Sequence, residues 1–286
     1  MGVALAILSS LLIATGNVFL KKSFKDFTPA VSFFFFSIFC LFIWVPFGLN
    51  LGFTFENMWL GILAGIISAI FGQLSYIYVI SKGELSVTGT ILSSYSIYTV
   101  VFSYFFNNER LTFASLIFVV LTIIGTLIVC LPEKIDKSDL RRYSNIFIAV
   151  VGALCIAASD TFSKNVIDKT SIGSFLVWVA LSQFVISFLF LKEMGEPFDQ
   201  FNQIFKKLKE YQWSLLGAFG ASAGTMAFFL SYNYTLASIA SPINATYPVL
   251  TIILSLIFLK EKISLKNAVG LILVIISVIG MGIYSS

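Results

Sequence analysis

One carboxylate stands inside an apolar run. It is Asp160, in Ala157-Ala158-Ser159-Asp160-Thr161-Phe162. A charge in such a setting is costly and persists where it faces water, a partner or a ligand. Two chemistries suit it, holding a cationic group and carrying a proton. A third reading pairs it with Lys164, one helical turn on. Aromatic rings that attract cations are at hand. Tyr95-Thr99-Ser103 and Tyr247-Thr251-Ser255 each repeat every four residues, which keeps each set on one helix face. A phenol is too large for a close helix crossing, so Tyr95 and Tyr247 are assigned to a cavity. The four smaller hydroxyl residues are assigned to packing. Asn244 and Pro248 interrupt the run around Tyr247 and free backbone carbonyls toward that cavity. Gln73, Asn17 and Thr225 add uncharged polar groups, and Gln183 and Asn233 are further buried amides that need partners. The candidate binding set is therefore Asp160, Tyr95, Tyr247, Gln73, Asn244, Asn17 and Thr225.

Other chemistry is excluded by type. The chain has no His, which removes the Ser-His-Asp triad and His-based metal sites. Cys40, Cys130 and Cys155 each sit in apolar runs without metal-ligand spacing. No catalytic cluster, metal, cofactor or nucleotide-binding loop is expected. A net charge of +4, dispersed along the chain, gives no nucleic-acid footprint.

The elements that position these residues follow from composition. Of the 286 residues, 58% are hydrophobic and 11% charged, and the mean hydropathy is +0.96. Soluble domains carry about 25% charged residues. A soluble enzyme or a disordered scaffold is thereby excluded, and the bilayer is the medium that hides this surface. Spanning the hydrocarbon takes about 20 apolar residues per helix. Ten runs meet this, near 2–21, 30–48, 58–80, 86–106, 112–131, 145–164, 172–191, 213–236, 241–259 and 265–284. They are continuously apolar, unlike the alternating strands of a barrel. The first lacks a basic leader and a cleavage site, so it reads as an uncleaved membrane helix. Gly195 to Tyr211 differs: Phe198, Phe201, Ile204, Phe205 and Leu208 share one face, which predicts an amphipathic helix along the membrane surface.

The chain also repeats itself. At an offset of 152, without a gap, Gly65 pairs with Gly217, Gly72 with Gly224, Ser86 with Ser238, Tyr95 with Tyr247 and Glu109 with Glu261. In the first helices the offset is 143, pairing Ala14, Phe19 and Lys21 with Ala157, Phe162 and Lys164, and Asn17 with Asp160. The difference falls at the amphipathic linker, where an insertion is tolerated. Each half holds about five helices, an odd number, so the second copy enters the membrane upside down. Inverted repeats place a binding site near the midplane between the halves.

Ten helices in two such halves resemble the drug/metabolite transporter superfamily, EamA type. The fourth helix of each half ends in an acidic-basic turn, Asn108-Glu109-Arg110-Leu111-Thr112 and Lys260-Glu261-Lys262-Ile263-Ser264. Glu109 and Glu261 are assigned to capping these turns. The resemblance implies an all-α polytopic membrane protein with ten transmembrane helices in two inverted five-helix repeats, at 1–131 and 145–286, joined by a linker at 132–144. It also implies secondary transport of a small molecule by alternating access, with no enzymatic activity. Many members carry Trp-Gly in the first helix of each half. Here Thr15-Gly16-Asn17 and Ser159-Asp160-Thr161 stand instead, so a substrate that rests on that Trp does not carry over.

Rings and one carboxylate favour a cationic, zwitterionic or amino compound. A coupling proton or counter-substrate and the lipid bilayer are the other partners, in a monomer or homodimer of the plasma (inner) membrane. A phosphosugar or nucleotide-sugar exchanger would need Lys or Arg deep in the cavity, yet Lys21, Lys82 and Lys164 lie near helix ends. A membrane-embedded lipid-modifying enzyme would need a cluster of His, Asp or Glu at membrane depth. Loops after the odd-numbered helices hold 15 of the 18 basic residues. Basic loops stay in the cytoplasm, which puts both termini outside; the ten-helix family it resembles usually has both inside. A reporter that folds only in the cytoplasm, fused after Ser286, should stay inactive. An active reporter reverses the assignment.

Overall fold

A computed structural model describes residues 1–23, 27–82, 92–130, 140–196, 208–250 and 265–284. Every regular element among them is helical. These are α1 (Gly2–Ser23), α2 (Pro29–Asn50), α3 (Met58–Ile67), α4 (Ser75–Lys82), α5 (Tyr95–Phe106), α6 (Phe113–Cys130), α7 (Leu140–Lys169), α8 (Ile172–Glu193), α9 (Leu208–Tyr232), α10 (Ala237–Asn244) and α11 (Leu265–Tyr284). A π-helical turn, Ser68–Leu74, joins α3 to α4 as one rod. Among the described residues six spans are long and apolar enough to cross a membrane, and Tyr95–Phe106, Phe113–Ile128 and Ala268–Met281 are shorter apolar helices. The protein is an all-α polytopic membrane protein.

Local chemistry sets the ends. Thr28 accepts from the Val31 N–H at 3.4 Å and Pro29 opens α2, where its missing N–H costs nothing. Ser171 does the same for α8, accepting from the Ser174 N–H at 3.0 Å.

The packing obeys an exchange rule. Swapping α1 with α7, α2 with α8, the α3–α4 rod with α9, α5 with α10 and α6 with α11 maps the main contacts onto one another. Thus α1 packs on α9 as α7 packs on the rod, and α5 packs on α7 as α10 packs on α1. Mates that touch run in opposite directions. Ser37 meets Ser187 at 2.6 Å while Gly48 abuts Gly173, which makes α2 and α8 antiparallel. Thr122 meets Ser277 at 2.9 Å and Ser115 donates to the Tyr284 carbonyl at 2.8 Å, which makes α6 and α11 antiparallel. The two repeats are inverted.

Most of the expected runs match these helices to within a few residues, with two differences. The third run is not uniformly α but carries the π turn. The eighth ends at Tyr232 and the ninth starts at Ala237, four residues before the expected start. Glu109 accounts for that start. Its buried carboxylate accepts from the Ala237 and Ser238 N–H groups, each at 2.9 Å, and from the Ser238 hydroxyl. A negative charge there matches the orphan donors and the helix dipole. Glu109 is thus a cap, but of α10 across the repeat boundary rather than of its own turn. Glu261, Thr251, Ser255, the 132–139 part of the linker and the 197–207 part of the amphipathic segment lie outside the described residues.

Gly16 lets α1 and α9 touch backbone to backbone. A Cβ there would lie 2.8 Å from the Ala221 nitrogen. Gly16→Ala should cost about 1–3 kcal/mol of stability through overpacking, read as a lower thermal midpoint in detergent. An unchanged midpoint would refute the contact. Glu109→Ala strips the α10 donors of their acceptor and should cost about 1–3 kcal/mol, with Glu109→Gln closer to wild type in the same assay. A midpoint equal to wild type in Glu109→Ala would refute the cap.

Candidate functional site

Between the repeats lies a cavity of about 80 Å³. Its wall draws on α1, the π turn with α4, and α5 from the first repeat, and on α7, α9 and the segment of α10 through Tyr247 from the second. These are three mated pairs, so the cavity sits on the axis that relates the halves.

Broken helices build part of the wall. In the ninth run, α10 stops at Asn244, Ala245 and Thr246 form a turn, and the helix resumes at Tyr247. Pro248 has no N–H to return to Asn244, so the ladder cannot run through. The Ser241 carbonyl takes the Ala245 N–H at 2.8 Å and a second hydrogen bond, 3.3 Å long, from the Tyr95 hydroxyl. The fourth run breaks at Ser94, directly before Tyr95. At the offset of 152, Ser94 and Tyr95 are the counterparts of Thr246 and Tyr247. Tyr95 and Tyr247, the first residue after each break, both line the cavity.

Asp160 lies on α7, is 6% exposed and lines the cavity. Its Oδ2 is buried with no hydrogen-bond partner among the described residues. The interfacial pairing with Lys164 is not formed. Lys164 Nζ instead holds Asp168 Oδ1 at 2.6 Å and the Tyr232 carbonyl at 2.9 Å. The cation is spent on the end of α9 and leaves the carboxylate uncompensated. Tyr95 reaches in from α5, and its hydroxyl accepts from Asn244 Nδ2 at 3.0 Å. The Asn244 carbonyl oxygen in turn accepts from Ser9 at 2.7 Å. Tyr76 and Tyr247 meet edge to face with centroids 6.3 Å apart.

Six of the seven candidates therefore line one cavity: Asp160, Tyr95, Tyr247, Gln73, Asn244 and Thr225. Thr225 turns its hydroxyl to the Ala221 carbonyl, 2.9 Å away. Asn17 stands one layer behind, donating to the Tyr76 hydroxyl. Thr99 and Ser103 are buried away from the wall. Ser68, Gly72, Tyr76 and Ser159 are wall residues outside the candidate set. Ser159 had a signal, its place beside Asp160. Gly72 had two, its place beside Gln73 and its pairing with Gly224, whereas Ser68 had none.

The geometry can be set beside known proteins. The model of the EamA-like transporter family matches residues 1–131 and 144–283. An uncharacterized transporter of Clostridium kluyveri is 24% identical over 222 residues, 75% of this chain and 68% of that one. An uncharacterized transporter of Archaeoglobus fulgidus is 25% identical over 228 residues, 77% of this chain and 74% of its own. The S-adenosylmethionine uptake transporter of Rickettsia conorii is 23% identical over 196 residues, 68% of this chain and 60% of its own. A crystal structure superposes with a TM-score of 0.76 over 97% of both chains at 14% identity, which is a likeness of fold. With ten runs, inverted halves and a family match across both of them, this integral multi-pass membrane protein belongs to the EamA-like transporter family.

Proposed function

We propose that the chain is a secondary transporter that moves a small organic cation or amino compound by alternating access of the cavity between its repeats. The observation that carries this is Asp160, a buried carboxylate in the cavity wall with Oδ2 unpartnered among the described residues. Burying a charge without a partner is expensive. A cationic cargo supplies the missing charge, and the faces of Tyr76, Tyr95 and Tyr247 add cation–π attraction. A coupling proton on the same carboxylate, or a counter-substrate, completes the cycle in the emptied state. The relative from Rickettsia conorii is named for a cargo that carries a sulfonium cation, the same charge class. Among the described residues no Lys or Arg lines the cavity, which speaks against a phosphosugar or nucleotide-sugar cargo. We place the protein in the plasma membrane, acting as monomer or homodimer.

The carboxylate separates two forms of the reading. If it binds the cation, Asp160→Asn should weaken binding at least about tenfold, the equivalent of 1.4 kcal/mol. If it carries a proton, the same change should abolish pH-driven uptake into liposomes and spare exchange of substrate for substrate. Binding, uptake and exchange all unchanged in Asp160→Asn would remove the cationic reading.

A further inference from the structure

The repeats are aligned without a gap through their third helices, yet they are wound differently. Ser68–Leu74 is π-helical, while its counterpart, residues 220–226, lies within the α-helix α9. The walls differ accordingly. From α9 the cavity sees Ala221, Thr225, Phe228 and Phe229. Thr225 is the mate of Gln73 and Phe228 of Tyr76, and both mates also line the wall. The mate of Ala221, however, is Ala69, which is fully buried and absent from the wall. Ser68 takes its place. A π turn carries an extra residue per turn and so shifts the inward face by one position.

The residue brought inward is a hydroxyl held from behind. Gln183 on α8 is 1% exposed, and its Nε2 donates to Ser68 Oγ at 3.2 Å. Ser68 thereby accepts from Gln183, whose Oε1 is buried without a partner, and no bond donated by Ser68 Oγ is formed among the described residues. Gly72 keeps the space before it open. A Cβ there would lie 3.1 Å from Ser159 Oγ and 3.7 Å from Ser68 Oγ. Two hydroxyls thus flank a bare patch of backbone, one of them on Ser159, which precedes Asp160.

We infer that Ser68, oriented by Gln183, is a specificity residue that donates a hydrogen bond to an acceptor oxygen of the cargo, so that the transported compound is an amine that also carries an oxygen. This rests on the reading of Asp160 as the site of the cationic group. A cavity that holds benzene measures about 150 Å³. At about 80 Å³, this one has Asp160 and Ser68 in the same wall, so that one small occupant meets both.

Two amines with the same number of heavy atoms test it, n-butylamine and 2-methoxyethylamine, which differ by one ether oxygen in place of a methylene. Equilibrium binding of each to the purified full chain should favour 2-methoxyethylamine by about tenfold, the size of one buried hydrogen bond. Ser68→Ala should bring that ratio near one and leave n-butylamine unchanged. Gln183→Met, which keeps the hydroxyl but removes its orienting donor, should lower the ratio in the same direction and covers the case of a misfolded Ser68 variant. Asp160→Asn should weaken both amines together. A ratio that survives both Ser68→Ala and Gln183→Met, with binding still dependent on Asp160, overturns the inference alone. Binding of both amines that ignores Asp160→Asn, or binding of neither amine by wild type, overturns the cationic reading and this inference with it.

Discussion

Hydrocarbon offers no water to a peptide group, so every N–H and C=O that leaves a helix ladder inside the membrane needs another partner. The departures from regular winding in this chain are placed under that constraint. At the break before Tyr247, the Ser241 carbonyl keeps its ladder bond from the Ala245 N–H and gains a phenol as well. Where α9 ends, Lys164 takes the Tyr232 carbonyl, and where α10 starts, Glu109 takes two N–H groups. The π turn keeps its backbone paired internally and still rotates a new residue inward. Among the described residues, irregular backbone at the cavity and at the buried charged caps finds such partners, and those caps hold the cavity helices in register.

The same constraint explains which charges are available for chemistry. Glu109 and Lys164 are buried ions whose cost is offset by backbone groups and, for Lys164, by Asp168. They are structural because their bonding capacity is used. Asp160 differs in that its buried Oδ2 has no partner among the described residues.

Much of this was legible from residue types. Asp160 stood out by charge, and Tyr95 and Tyr247 by their offset. Pro248 announced a break because proline lacks the donor. Other features were not legible, for definite reasons. Asp160, Lys164 and Asp168 are spaced at four and four, so spacing alone permits either pairing, and only the position of the α9 end selects the second. The reach of Glu109 to α10 is a contact over 128 residues that no local pattern encodes. Ser68 was hidden because a sequence wheel assumes 3.6 residues per turn, and one π turn breaks that assumption.

The partners of α1 carry a consequence for how the chain is made. Ser9 Oγ lies 2.6 Å from the Gly224 carbonyl oxygen, across 215 residues, and Gly16 packs on Gly220 and Ala221. At a synthesis rate of about 5–20 residues per second, that separation corresponds to roughly 10–40 s. For that interval the first helix waits in the bilayer with its glycine face uncovered, and so does α2 before α8 is made. Neither half can be finished before the other exists. The first half therefore stays incompletely packed while the second is on the ribosome, and a five-helix fragment of this chain leaves the α1 and α2 faces without their partners.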